Sequence, residues 1–130
     1  PYEFVNELRD LMEGHLEKFF LITTRDRDSV LHILKMYDLM FLENSVFGKD
    51  EYGVSNSKRD IIQRLIGDHQ IKESIFIDDL EDHLMACWTI ENLSSIHARW
   101  GYVAPENKED NSARVIRDIR NFIQEENVWN

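Results

Sequence analysis

The sequence is poor in cysteine and in positive charge, and both shortages exclude classes of function. Cys87 is the only cysteine among 130 residues, so the chain permits no intramolecular disulfide and no zinc knuckle, and Cys87 is predicted to be a small core residue. The chain has only 15 basic residues against 25 acidic ones, so its net charge is -10. No basic cluster could neutralise a run of phosphates, so neither a nucleic-acid duplex nor an anionic membrane is an expected partner.

Long apolar runs are also missing. No segment approaches the ~20 residues that a membrane-spanning helix needs, and residues 1–20 carry too many charges for a signal peptide. The chain is therefore predicted to be cytoplasmic. Its 42% hydrophobic and 31% charged residues are typical of one compact domain, here residues 1–130.

Short apolar runs alternate with amphipathic segments of about ten residues. This alternation predicts an α/β fold of the Rossmann-like, three-layer α/β/α class with a mostly parallel sheet. Phe20, Ile22, Phe76 and Ile77 are expected to be buried within it. The predicted strands are 19–23, Val46-Phe47, 74–77, 95–100 and a short edge strand from Ala113 to Ile116. The predicted helices are one within residues 3–17 that Gly14 ends, one at 27–37, a segment capped by Ser57, one at 81–90, and a segment around Ile119 and Phe122.

Polar side chains stand where predicted strands end or helices begin. Thr23 and Thr24 end the first strand, Lys58 opens a helix, and Asp78 and Asp79 end the third strand. Ligands of open parallel sheets bind beyond the carboxyl ends of the strands. A hydroxyl, a lysine and a carboxylate pair suit a phosphate bound beside a divalent cation.

Each of these residues also has a purely structural interpretation. Thr23 and Thr24 are suited to capping the next helix, and Lys58 to a solvated first turn. The adjacent Asp78 and Asp79 are more distinctive, because two carboxylates repel each other at a strand end that has no counter-ion. His83 is either a metal ligand or an ordinary surface histidine.

The order of these elements resembles the haloacid dehalogenase (HAD-like) superfamily of phosphohydrolases. Residues 20–25 (FLITTR) look like the second motif of that family, an apolar strand ending in Thr or Ser. Lys58 in residues 57–62 (SKRDII) looks like the third-motif lysine, and residues 76–83 (FIDDLEDH) look like the fourth motif. The triplet Trp100-Gly101-Tyr102 sits where many members have the same sequence. The resemblance covers nearly the whole chain.

The resemblance implies a magnesium-dependent phosphatase that acts on a small phosphorylated metabolite through a covalent aspartyl-phosphate. Thr23 and Thr24 would bind phosphate, and Lys58 would be both phosphate-binding and catalytic, because it stabilises the charge of nucleophile and phosphate. Asp79, with help from Asp78, would bind magnesium.

Two departures from the family pattern limit this expectation. His83 stands where the fourth motif commonly has a second Asp or Asn. The first motif, an apolar strand ending in Asp-x-Asp-x-Thr or Ser, occurs nowhere in residues 1–130. Because that motif supplies the nucleophile, the chain alone is expected to have no turnover and to bind magnesium weakly or not at all. Either the chain is part of a longer phosphatase, or it is a shortened, non-catalytic relative that serves as a binding or structural domain.

The family's first strand lies between the strands expected at 19–23 and 74–78. Its absence would leave unpaired backbone N–H and C=O groups along both. The two strands could pair directly, receive a strand from a partner, or exchange strands in a homodimer. Direct pairing would shift every packed helix, so a strand donor or a homodimer is the prediction.

Overall fold

The computed structural model describes residues 2–52, 57–101 and 103–125 and shows a mixed α/β fold with parallel strands. Tyr102 of the Trp100-Gly101-Tyr102 triplet lies outside the described residues. The chain divides into two compact units, residues 1–61 and 62–130. The helices are α1 (Tyr2–Met12), α2 (Arg27–Met36), α3 (Lys58–Asp68), α4 (Glu81–Ala86) and α5 (Ser112–Gln124); the strands are β1 (Leu21–Ile22), β2 (Val46–Phe47), β3 (Ser74–Asp78) and β4 (Leu93–His97).

The first unit is built around a two-stranded parallel sheet. β1 pairs with β2 in the register Leu21 to Val46, and Val46 is 1% exposed. β2 is followed by Gly48, where an added Cβ would lie 2.7 Å from the backbone nitrogen of Arg27. Only glycine therefore allows the chain after β2 to approach the start of α2 this closely.

Arg9 ties α1 to the end of α2 within the same unit. Its guanidinium donates hydrogen bonds to the carbonyl oxygens of Tyr37 at 2.5 Å and Asp38 at 2.8 Å. The carbonyls at a helix C-terminus have no partners within the helix and carry partial negative charge, so a cation stabilises them.

The second unit contains the other parallel sheet. β3 pairs with β4 from Ser74 opposite Leu93 to Asp78 opposite His97. The buried side chains of this unit come mainly from α4, the turn after it and α5; they include Leu84, Cys87, Ile90, Val115, Ile116 and Ile119. The prediction that Cys87 is a core residue is confirmed. α3 crosses the boundary between the units, and its N-terminus is capped because Ser57 Oγ accepts a hydrogen bond from the Asp60 N–H at 3.2 Å.

The edge strand predicted from Ala113 to Ile116 is wrong, because these residues form the beginning of α5. The buried residues Val115, Ile116 and Ile119 follow the i, i+1, i+4 spacing of one helix face. That spacing continues through the segment that the sequence also assigns to a helix, so one helix buries the whole apolar stripe.

The predicted burial of four strand residues is also wrong. Phe20, Ile22, Phe76 and Ile77 are only half-buried. Burial on both faces and both sides requires a wide sheet, whereas β1 and β3 each have one neighbouring strand among the described residues.

Several predicted boundaries shift. α1 ends at Met12, two residues before the expected end at Gly14, α4 ends at Ala86 rather than at residue 90, and β4 covers Leu93–His97 rather than residues 95–100. β1 is two residues long instead of five. Apolar runs continue beyond the hydrogen-bonded ladders here, because side chains flanking a strand are also half-buried.

Candidate functional site

Asp78 ends β3 and is held on both carboxylate oxygens. Its Oδ1 accepts a hydrogen bond from the Leu80 N–H at 2.8 Å, which forms the tight turn between β3 and α4. Its Oδ2 lies 3.0 Å from Nδ1 of His83. An ionised carboxylate can only accept, so the His83 ring donates the proton of this bond. The Asp78 side chain is 5% exposed, and its polar groups are satisfied within the chain.

Asp79 is half-buried at the next position and is held through its backbone. Its carbonyl oxygen accepts a hydrogen bond from His97 Nε2 at 3.1 Å. Its side chain packs against Gly101, where an added Cβ would lie 2.6 Å from both Cβ and Oδ2 of Asp79. The backbone of Asp79 is therefore positioned by one histidine and its carboxylate by a glycine.

The parallel register places His97 beside the acidic pair, since His97 is the β4 partner of Asp78. The ladder continues beyond the strands, where the Ala98 N–H donates to the Asp78 carbonyl at 2.9 Å. Asn111 then fixes the loop after β4, because its amide donates to the His97 carbonyl at 2.9 Å and accepts from the Arg99 N–H at 3.0 Å. These hydrogen bonds fix the backbone next to Asp78 and Asp79 at the carboxyl end of the β3–β4 sheet.

Thr23 and Thr24 follow β1 in the first unit. The Thr23 N–H donates to the Phe47 carbonyl at 2.9 Å, and its Oγ1 accepts from the Arg25 N–H at 3.1 Å. The hydroxyl oxygen acts as an acceptor in that turn, and a hydroxyl that accepts can also donate its own proton. Thr24 is exposed. Neither threonine caps α2, so the structural interpretation of this pair as a helix cap is wrong.

Asp26 is the residue that caps α2. It accepts a hydrogen bond from the Ser29 hydroxyl at 2.7 Å and another from the Ser29 N–H at 3.0 Å. These two bonds, led by the one from the hydroxyl, hold the pKa of Asp26 below its usual value of 3.8. The chain's single Asp-x-Asp sequence, Asp26-Arg27-Asp28, therefore begins a helix, and Arg27 donates to the carbonyls of Val46 and Glu43.

Lys58 is the first residue of α3, as the sequence predicts, and is half-buried. It belongs to the first unit together with Thr23 and Thr24, whereas Asp78 and Asp79 belong to the second. Each predicted site residue ends or follows a strand or begins a helix, and the structure divides these residues between the two units.

In residues 2–52, 57–101 and 103–125, no three His, Cys, Asp or Glu side chains are grouped so that they could hold a metal ion. Magnesium usually keeps several waters and is held by only one or two carboxylates. Both oxygens of Asp78 already accept hydrogen bonds within the chain.

The sequence did not indicate the roles of His97 and Asn111, or the contact of Gly101 with Asp79. The spacing of the acidic pair gives no indication of them, because they come from the strand and loop that follow one helix later. The pairing register would have identified His97, since the residue opposite a strand-end aspartate in a parallel ladder ends the neighbouring strand.

No protein-family model, curated protein or solved structure matches this chain. Within the described ranges, each helix is too short or too polar to span a bilayer.

Proposed function

We propose that this chain is a HAD-like phosphohydrolase core segment that carries the phosphate-binding and metal-binding residues but lacks the nucleophile. The observation that supports this most is the acidic pair at the carboxyl end of β3, with Asp78 engaged in the turn and Asp79 half-buried beside it. Adjacent carboxylates at such a position favour a cation as counter-charge.

Each residue has a defined task in this proposal. The Thr23 hydroxyl donates a hydrogen bond to a phosphate oxygen, and the Lys58 ammonium group compensates phosphate charge. Asp79 is the carboxylate that contacts magnesium, and Asp78 orients it from within the turn. Magnesium, when bound, would neutralise phosphate charge. We assign no reaction step to these residues alone.

The metal part of the proposal is tested by calorimetric titration of the intact chain with magnesium chloride. We expect weak binding that Asp79→Asn reduces by about tenfold, the ratio that corresponds to about 1.4 kcal/mol of binding free energy. Asp82→Asn is the matched control, because it removes the same charge from an exposed position in the first turn of α4. Tight binding that survives Asp79→Asn would place the metal elsewhere.

The catalytic part is tested with p-nitrophenyl phosphate and magnesium. The chain alone should show no turnover, because its only Asp-x-Asp sequence is a helix start and not a strand end. Extension of the chain by the residues encoded upstream of Pro1 should produce magnesium-dependent hydrolysis if they contain an apolar strand that ends in Asp-x-Asp. Turnover by the chain alone would contradict the proposal.

One observation favours a second candidate, a non-catalytic binding or structural domain. The oxygens of Asp78 are both committed to contacts inside the chain, as expected of a residue retained for the fold. This candidate gains support if Asp79→Asn and Asp82→Asn have equal effects on magnesium binding and the upstream residues contain no such strand.

A further inference from the structure

A cavity of about 310 Å³ opens in the first unit between α1 and the end of α2. Its walls come from the two helices and the turn after α2: Val5, Asn6, Arg9, Met36, Tyr37 and Asp38. β1 and β2 are parallel and α2 connects them, so α2 runs antiparallel to both strands. The cavity at the C-terminal end of α2 therefore lies at the edge of the sheet opposite to Thr23.

The basic residue of the cavity, Arg9, is engaged by the chain itself. Its Nε and its two terminal nitrogens donate hydrogen bonds to the carbonyls of Asp38 and Tyr37 and to the side-chain oxygen of Asn6. The Asp38 carboxylate lies 3.9 Å from Arg9 Nε, yet the Asp38 side chain is 95% exposed. The more accessible charge of the cavity is therefore negative.

Asp38 occupies a backbone position that usually belongs to glycine. Its φ is 54°, and the Leu39 N–H donates to the Leu34 carbonyl at 2.9 Å, which is the arrangement in which a left-handed residue ends a helix. Aspartate tolerates this conformation less well than glycine, and its negative charge is unfavourable at a helix C-terminus. Helix termination alone would favour glycine, so a contact outside the chain better explains the carboxylate.

Large apolar side chains around the cavity are accessible. Met36 is 70% exposed and Met40 is 68% exposed, and Tyr37 and Leu42 are exposed as well. Single exposed apolar residues are ordinary, whereas several within one short stretch are typical of an interaction surface. Methionine side chains are flexible and adapt to the shape of a bound partner.

We propose that this cavity binds a lysine side chain of a partner polypeptide, and that apolar residues beside the lysine contact the exposed side chains after α2. The aliphatic part of the lysine packs against Val5 and Met36. Its ammonium group lies over the Tyr37 ring and beside the Asp38 carboxylate. This inference does not depend on the proposed function.

The charge of α1 favours the same partner. The acids Glu3, Glu7 and Asp10 are exposed on this helix, and Arg9 is its single basic residue. An acidic surface attracts a basic segment and repels an acidic one, most strongly at low ionic strength.

The probe is the peptide acetyl-Ala-Leu-Lys-Leu-Ala-amide. Its control is the same peptide with Nε-acetyl-lysine, which keeps the aliphatic part of the side chain and removes the charge. The intact chain is labelled with ¹³C at its methionine methyl groups, and NMR follows their signals during titration. We expect the lysine peptide to shift Met36 and Met40 and to bind at least about threefold more tightly than its control. Met12, which is buried, and Met85, which is 67% exposed in the second unit, should not shift.

Asp38→Asn removes the carboxylate charge, and asparagine also tolerates the left-handed conformation, so the fold should be preserved. The variant should weaken binding of the lysine peptide by about threefold. Asp28→Asn is the matched control, because it removes an exposed carboxylate from the other end of α2; it should leave binding unchanged. Tyr37→Leu keeps an apolar side chain but removes the aromatic ring, and it should also weaken binding by about threefold. Circular dichroism checks the fold of each variant, and the comparison of the two peptides on the wild-type chain needs none of them.

Four results would overturn the proposal. Equal shifts at Met85 and Met36 would show that the peptide adheres to any exposed methionine. Equal binding of the two peptides would show that the cavity does not recognise a positive charge. Equal effects of Asp38→Asn and Asp28→Asn would show that Asp38 does not contact the ammonium group. If the chain extended by the residues encoded upstream of Pro1 no longer binds the lysine peptide, those residues and not a partner occupy the cavity.

Discussion

The carboxylate of Asp78 lies 3.0 Å from Nδ1 of His83, five residues later in the chain. This contact joins the end of β3 to α4 and makes the acidic pair unequal. Asp78 is a nearly inaccessible part of the turn, whereas Asp79 is half-buried and packs against Gly101. The two adjacent aspartates therefore have different roles, one in folding and the other in the proposed site.

Replacement of Asp78 should destabilise the chain. Asp78→Ala leaves the Leu80 N–H and the His83 ring without their acceptor, which should lower the free energy of unfolding by about 1–3 kcal/mol. Asp82→Ala, at an exposed position three residues after Asp79, should change it by less than about 0.5 kcal/mol. Urea unfolding followed by circular dichroism measures both. Equal losses would show that the Asp78 contacts contribute nothing to stability.

Two glycines of the second unit should respond oppositely to alanine. Gly101→Ala would push a methyl group into the Asp79 side chain, so we expect a loss of about 1–3 kcal/mol in unfolding free energy. Gly67 lies within α3 with open space around it, and Gly67→Ala should stabilise the chain by up to about 1 kcal/mol. Thermal or urea unfolding of the two variants measures this difference. Two equally stable variants would contradict the contact between Gly101 and Asp79.

The packing of α5 predicts a large difference between neighbouring positions. Ile116 is 2% exposed, so Ile116→Ala should cost about 2–5 kcal/mol through lost burial and a residual cavity. Arg117 is exposed on the same helix, and Arg117→Ala should cost less than about 0.5 kcal/mol. Chemical unfolding tests the pair. Equal losses for the two variants would contradict the burial of Ile116 in the packed face of α5.

Acid should weaken the chain at the beginnings of two helices, α2 and α5. Hydrogen bonds from the Ser29 hydroxyl and N–H lower the pKa of Asp26, and those from the Ser112 hydroxyl and N–H lower the pKa of Asp110. Each lowered pKa adds stability that is fully present above the unfolded value of about 3.8 and disappears as the pH falls through the lower, folded value.

Urea unfolding at pH 7 and at pH 3 tests this pH dependence. The wild-type chain should lose stability between the two, and Asp26→Asn should reduce that loss because an amide still caps the helix without titrating. Asp28→Asn removes a carboxylate from the same turn of α2 but keeps the cap, so its loss should stay closer to wild type. A larger acid loss in Asp26→Asn would contradict the assignment.

Local features of the chain were predictable because they depend on neighbours in the sequence. The cap of α3 by Ser57 and the start of that helix at Lys58 follow from side chains within one turn. The last helix begins earlier than expected. Ala113 to Ile116 taken alone suit a short strand, and only the later apolar residue Ile119 shows the helical spacing. Burial of Phe76 and Ile77 was overestimated, because an apolar run indicates what a strand could bury and not how many neighbours it has.

By itself, the sequence determined the α/β class, the acidic character, the lone core cysteine Cys87 and the polar residues at the ends of β1 and β3. These properties arise from composition and from short-range periodicity. Only the tertiary structure decided that the Asp78 carboxylate contacts the His83 ring. It likewise decided that His97 binds the backbone carbonyl of Asp79 and that Gly101 packs on the Asp79 side chain. Those contacts join residues brought together by the parallel register of β3 and β4, and a register is set by packing between segments that are distant in sequence.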